Sequence, residues 1–247
     1  MVFITGDTHG NFQRFATEHF PEQKKMSRND YVIICGDFGG LWDGSAKENY
    51  WLDWLNDKPF TTLFVCGNHE NFDMLGTLPE IEWHGGKVHQ VREHVLHLMR
   101  GQLYEIDGYQ FFTMGGAQSH DIEDGILDPD DPNFRFEYRR KARTNQRFRV
   151  RGRSWWPEEM PSDEEYPTAM ATLDKHNWEV DYVITHCAPS GLLPMLGRHY
   201  QTDRLTDFFD MVSKKLMFHY WLFGHYHDNR NIGQNYVLLW EQIVQII

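Results

Sequence analysis

The sequence predicts a single α/β domain, and three observations predict it. Short apolar runs alternate with helical stretches through the first 70 residues. Each of those runs ends beside a glycine and an Asp, Asn or His. No Pro- or Gly-rich linker divides the 247 residues, a length that suits one domain with a substantial core.

Val2 to Thr5 reads as a buried parallel strand, and Asn11 to Phe20 as a helix with Asn11 as a possible cap. Tyr31 to Cys35 is the second strand. Ser45 to Asn56 is helical, with Trp51, Trp54 and Leu55 on one face, and Thr61 to Cys66 is the third strand. Lys87 to Val91, Leu96 to Met99, Gln102 to Ile106 and Gln110 to Met114 then follow in close succession. With Gly101 and Asp107-Gly108 as turns, they predict antiparallel hairpins. Helices are expected from about Asp163 to Asn177 and from Asp203 to Val212. Asp181 to Thr185, Leu216 to Phe223, Tyr236 to Trp240 and Gln242 to Ile246 are the remaining strands.

The stretch from about Gln118 to Pro161 breaks the pattern and is expected to be an insertion or lid. It opens acidic and becomes basic. Arg135, Arg139, Arg140, Lys141, Arg143, Arg147, Arg149, Arg151 and Arg153 are nine of the chain's 24 Lys and Arg. A bland account pairs a solvated helix with Asp128, Asp130 and Asp131. A functional account makes the segment a positive wall for a phosphate-bearing substrate, with Arg139, Arg140 and Arg143 as contacts.

The formal net charge of −12 disfavours general nucleic-acid binding, because phosphates are repelled at long range. No apolar run reaches the roughly 20 residues that span a bilayer, and no membrane partner is expected. The start MVFITGDTHG lacks a basic n-region and a cleavage site, so no secretory signal is expected. Cys35, Cys66 and Cys187 are too few for a disulfide framework. They fit a reducing, cytoplasmic compartment and small buried strand ends.

Five segments carry the chemistry: GDTHG (Gly6 to Gly10), GDFGG (Gly36 to Gly40), GNHE (Gly67 to Glu70), THC (Thr185 to Cys187) and GHYH (Gly224 to His227). Asp7, His9, Asp37, Asn68, His186, His225 and His227 are enough oxygen and nitrogen donors for two adjacent divalent ions. The four imidazoles favour Mn²⁺, Fe²⁺ or Zn²⁺ over Mg²⁺ or Ca²⁺. Two such ions can share a carboxylate and a hydroxide that attacks phosphorus, and His69 is placed to protonate the leaving group. A lone His is by default a surface or satisfied core residue, and seven others are left under that reading. GHYH is more specific, because its two His project to one side of the chain.

In this order the segments resemble the calcineurin-like metallophosphoesterase superfamily, whose pattern is D-x-H, GD, GNH, H and G-H-x-H, each after a strand. All five blocks are intact from Gly6 to His227. The resemblance implies a four-layer αββα sandwich of two mixed sheets, with a dinuclear centre at the sheet edge. It implies that Asp7, His9 and His227 bind one metal and that Asn68, His186 and His225 bind the second. Asp37 would bridge them, and His69 would be proton donor or transition-state stabiliser. It further implies hydrolysis of phosphomonoesters or phosphodiesters, with Mn²⁺ expected first and Fe or Zn²⁺ as alternatives.

The second block departs from the serine/threonine protein phosphatases. Gly40 and Leu41 stand where those carry an Asp and a phosphate-clamping Arg. The chain therefore looks closer to bacterial and phage-type members. Asp43 or Asp73 is a candidate replacement carboxylate, and an Arg of the basic stretch a candidate clamp. MGGAQSHD (Met114 to Asp121) and SWWPEE (Ser154 to Glu159) are similar to one uncharacterised group. Gly115-Gly116 is read first as a tight turn, and Trp155-Trp156 as a packing plug before a base-stacking platform. A nuclease of the same superfamily is the alternative function. A non-catalytic module predicts lost ligands, and none is lost.

Overall fold

The computed structural model describes residues 1–247. Two sheets form its centre. One has seven strands in the order Val244–Gln245, Val2–Thr5, Tyr31–Ile34, Thr61–Phe64, Val95–Leu98, Gly86–Arg92 and Glu80–Trp83. The other has six: Arg230–Ile232, Tyr236–Leu238, Tyr220–Phe223, Tyr182–Thr185, Tyr109–Met114 and Gln102–Ile106. Both are mixed, with parallel strands at the centre and antiparallel hairpins at the edges.

Strand periodicity sorts the apolar residues into layers. Ile4, Ile33, Leu63, Tyr182, Ile184 and Leu222 face one another between the sheets. Phe3, Val32, Ile34 and Phe64 point the other way and pack under the helix Ala46–Asn56. Val183, Trp221 and Phe223 face outward under the helices Glu165–Lys175 and Arg204–Ser213. Three cores thus separate four layers, as the αββα expectation requires. No helix is long and apolar enough to cross a membrane.

The helix expected over Asn11 to Phe20 is absent. One short 3₁₀ turn, Gln13–Phe15, stands in its place, and a second, Pro21–Lys25, follows it. Phe12, Phe15 and Phe20 are nonetheless all buried in one core, so the segment delivers its apolar side chains without a helix. Asn11 caps no helix; its side chain accepts from Gln13 N. The strand expected to reach Trp240 ends at Leu238, because Trp240 O leaves the ladder to accept from Gly6 N and the Arg14 guanidinium. Ser45 does cap its helix, accepting from Glu48 N.

The basic stretch contains the parallel pair Ile126–Leu127 with Arg149–Val150, joined through a helix at Phe134–Arg143 that buries no residue. Trp156 returns the chain to the core: its Nε1 donates to Asp73 at 2.7 Å and its ring meets Trp42 edge-on. Gly115 and Gly116 sit tight against Cys66, whose carbonyl accepts from Gly116 N.

Candidate metal centre

Each candidate ligand lies just beyond the carboxyl end of a strand. Asp7 and His9 follow Val2–Thr5, Asp37 follows Tyr31–Ile34, and Asn68 follows Thr61–Phe64. His186 follows Tyr182–Thr185, and His225 and His227 follow Tyr220–Phe223. The chain must turn sharply there. His9, Asp37, His225 and His227 take left-handed backbone, with φ of 46°, 46°, 71° and 48°. Each such residue costs on the order of 1 kcal/mol or more, and strain of this kind clusters at functional sites.

The loops are locked by bonds between blocks. Thr8 N and His9 N donate to Asp37 O, and Gly10 N donates to Phe38 O. His225 N donates to Asp7 Oδ1 and His69 N to Asp37 Oδ1. Such close approach leaves no room for a side chain at two motif glycines. A Cβ on Gly67 would overlap Asp37 Oδ1, and one on Gly224 would overlap Asp7 Oδ1.

Two donor groups result, Asp7–His9–His227 and Asp37–His186–His225, each with its ligand atoms within 4.8 Å of one another. Asp37 joins them, lying 3.2 Å from His186 Nε2 through Oδ1 and 3.8 Å from His9 Nε2 through Oδ2. Asn68 is buried beside them, with its amide nitrogen donating to Ser119 Oγ.

The electrostatics call for cations. Asp7 and Asp37 are 1% and 2% exposed, and no Lys or Arg side chain meets either carboxylate. Asp7 Oδ2, Asn68 Oδ1 and His186 Nε2 are buried without a hydrogen bond of good geometry; Asp7 Oδ2 and His186 Nε2 have only His227 Nε2 and Asp37 Oδ1 beside them, each at 3.2 Å. Buried polar atoms are otherwise nearly always satisfied, and leaving one bare costs about 1–3 kcal/mol. Burial disfavours a charged His186, but Asp37 and Asp7 outweigh it and raise the ring to about 9. His186 Nδ1 donates to Cys35 O, which leaves Nε2 facing the site. The donor set and its bare atoms fit two divalent ions.

His69 lies beside this cluster, its ring 5.2 Å from that of His9. Burial holds its pKa below the usual imidazole range; Asp37 opposes the shift and Arg149 adds to it. Its Nε2 is 3.4 Å from Arg149 Nη2. Asp121 grips that Arg149 with both oxygens, at 2.8 Å to Nε and 2.6 Å to Nη2. The basic stretch therefore does send a guanidinium to the centre, and it is Arg149. Arg139, Arg140 and Arg143 are instead on the exposed helix: Arg140 pairs with Glu137, and none of the three meets a ligand residue. Asp43 and Asp73 do not meet His69 either. Asp43 accepts from Ser45 N, and Asp73 holds Trp156. Glu70 takes the interior position, accepting from Phe38 N and Gly39 N to shape the second block. Burial and Asp37 push its carboxyl up to about 8.

Other residues come to the site unannounced by the five segments. His120 Nε2 is 2.6 Å from His225 Nε2. Ser119, which holds Asn68, donates to Glu159 Oε2 at 2.6 Å, and its backbone N donates to Oε1. A cavity of about 640 Å³, lined by Gln118, His120, Arg147, His199 and Asp203, opens here. A signal for these residues did exist: MGGAQSHD is an apolar strand, glycine, then Ser, His and Asp, the same grammar as the five blocks.

No curated protein matches the chain significantly. A family model does: calcineurin-like phosphoesterase matches residues 1–229, which include every strand-end ligand above. The chain belongs to the calcineurin-like phosphoesterase family, whose members hydrolyse phosphate esters with the help of divalent metal ions.

Proposed function

We propose that this chain hydrolyses phosphomonoesters or phosphodiesters at a dinuclear centre. Asp7, His9 and His227 would hold one ion, and Asn68, His186 and His225 the other, with Asp37 shared. The observation that carries this reading is the trio of bare buried atoms, Asp7 Oδ2, Asn68 Oδ1 and His186 Nε2, among carboxylates that no Lys or Arg neutralises. Mixed nitrogen and oxygen donors suit Mn²⁺ first, then Fe²⁺ or Zn²⁺. When bound, the ions supply Lewis acidity toward the phosphoryl oxygens and make water a nucleophile near neutral pH.

The chain's own residues do the rest. His69 gives its proton to the leaving oxygen, and its lowered pKa makes the imidazolium a stronger acid. Arg149, aimed by Asp121, grips a phosphoryl oxygen beside His69 and fills the role of the arginine that the second block lacks. Asp37 fixes the distance between the two donor groups, while its Oδ1 holds the His69 backbone.

The test compares native chain and His69→Asn on an alkyl phosphate ester and on a p-nitrophenyl ester, each with Mn²⁺. The variant should lose roughly 10²–10⁴ in kcat on the alkyl ester and much less on the activated one, with metal content unchanged. Equal losses on both esters would sink the role of His69. A metal-loaded native chain that turns over neither would sink the phosphoesterase reading.

A further inference from the structure

We infer that the helix Phe134–Arg143 is a docking surface for single-stranded nucleic acid, which feeds the metal centre. This rests on the phosphoesterase reading above and names its substrate class.

The helix has no buried residue. Arg135, Arg139 and Arg143 recur every four residues, so they form one stripe about 6 Å apart. Like charges at that spacing destabilise an isolated helix. Acidic neighbours do not relieve them. Asp128 pairs with Arg151, and Asp130 N donates to Asp128 Oδ1. Asp131 Oδ1 accepts from Asn133 N. Arg140 and Lys141 are engaged, with Glu137 and with Asp124 O, but Arg135, Arg139 and Arg143 make no ion pair. A row of exposed, unpaired guanidiniums at this spacing is complementary to successive phosphates of an extended strand.

An aromatic interrupts the stripe. Phe136 is 67% exposed and sits three, four and seven residues from Arg139, Arg140 and Arg143, on the same side. At the helix start, the Arg153 guanidinium lies 5.4 Å over the Phe134 ring. Positive charge with a solvent-facing ring is how sequence-tolerant single-strand binders hold phosphates and stack bases. A membrane surface fits less well, because the exposed rings of the helix, Phe136 and Tyr138, stand among guanidiniums and bilayer binding scales with buried apolar area.

The stripe is coupled to the centre. Lys141 Nζ donates to Asp124 O, and Asp124 N donates to Arg147 O. The chain then enters the strand Arg149–Val150, where Arg149 meets His69. Six peptide steps separate Arg143 from Arg149, so their backbones are at most about 20 Å apart. A strand lying on the helix reaches His69 within a few nucleotides. The net charge of −12 opposes binding elsewhere, but at about 0.1 M salt it is screened beyond roughly 10 Å.

The experiment is fluorescence anisotropy of a mixed-sequence single-stranded DNA oligonucleotide on the full chain with Mn²⁺. Oligonucleotide length is checked after each measurement. Binding should weaken with salt at a log–log slope of about −2, as three phosphate contacts require. The triple variant Arg135→Ser, Arg139→Ser, Arg143→Ser should lose at least about tenfold in affinity and most of that slope. Phe136→Ala should lose about five- to tenfold with the slope retained. Hydrolysis of bis-p-nitrophenyl phosphate by the triple variant should stay within about twofold of native, which also shows that it is folded. Undiminished DNA binding by the triple variant overturns the inference. So does native chain that binds phosphatidylserine vesicles and no DNA. Small-ester hydrolysis without DNA binding refutes this inference alone. Stripe-dependent DNA binding without hydrolysis of any ester supports the docking surface and refutes the phosphoesterase reading.

Discussion

Asp7, Asp37 and His186 are at most 2% exposed at the strand ends, whereas the helix Phe134–Arg143 of the basic stretch buries nothing. The strand-end loops are tied by backbone bonds from one block to the next, and their glycines leave no room for a Cβ. The basic stretch is tied to the centre by side chains, chiefly Arg149 to His69, Ser119 to Asn68 and Trp156 to Asp73. Metal ions need fixed ligand geometry, which two packed sheets provide. The substrate grip proposed above needs only a few charges in reach, and the basic stretch carries them. The same division appears in composition: carboxylates and imidazoles at the strand ends, guanidiniums in the basic stretch.

The sharpest way to break that division is to remove the carboxylate that lies between the two donor groups. Asp37→Asn should lower kcat by about 10³-fold or more, several kcal/mol of transition-state stabilisation. Bound metal, read by plasma mass spectrometry, should fall with it. Retained activity with full metal content would show that the centre does not depend on Asp37.

In the basic stretch, Arg149→Ala should lower kcat/KM by about 10²-fold while metal content stays native, since Arg149 touches no ligand. Metal loss in this variant would mean that the basic stretch shapes the ligand set as well. Asp121→Asn keeps the guanidinium but loosens its aim, so a decrease of about tenfold is expected, near that of other orienting partners. A loss equal to that of Arg149→Ala would make Asp121 more than a positioning residue.

The smallest effect concerns the seam between the regions. Burial raises the Glu159 carboxyl to about 7, above its unfolded value. The folded state therefore holds the extra proton, so this group's stability contribution is complete at low pH and is lost as pH rises toward about 7. The loss is at most about 3 kcal/mol. Urea melts of the native chain from pH 5 to 7.5 should show the decline, and Glu159→Gln should flatten part of it. An unchanged slope in the variant would remove Glu159 from the account.

Much of the fold was legible for a physical reason. Strands buried on both faces read as continuous apolar runs, and VFIT, YVII and YVIT do. The helix misread over Asn11 to Phe20 shows the limit. Asn11 was read as its cap, but Phe12, Phe15 and Phe20 are held in one core by irregular chain. Arg149 shows another. Among nine cations of the stretch nothing local marks it; pairing of its strand with Ile126–Leu127 brings it to His69. His120 was legible in kind, behind Gly115-Gly116, yet its nearness to His225 depends on two segments 105 residues apart.

Sequence alone determined the candidate donor types and the strands that carry them, because apolar runs, turn glycines and donor side chains are local properties. Tertiary structure decided which atoms are left bare at the sheet edge, which arginine meets His69 and which three arginines go unpaired. Those outcomes depend on distances between segments far apart in the chain, and packing of the two sheets and the basic stretch sets them.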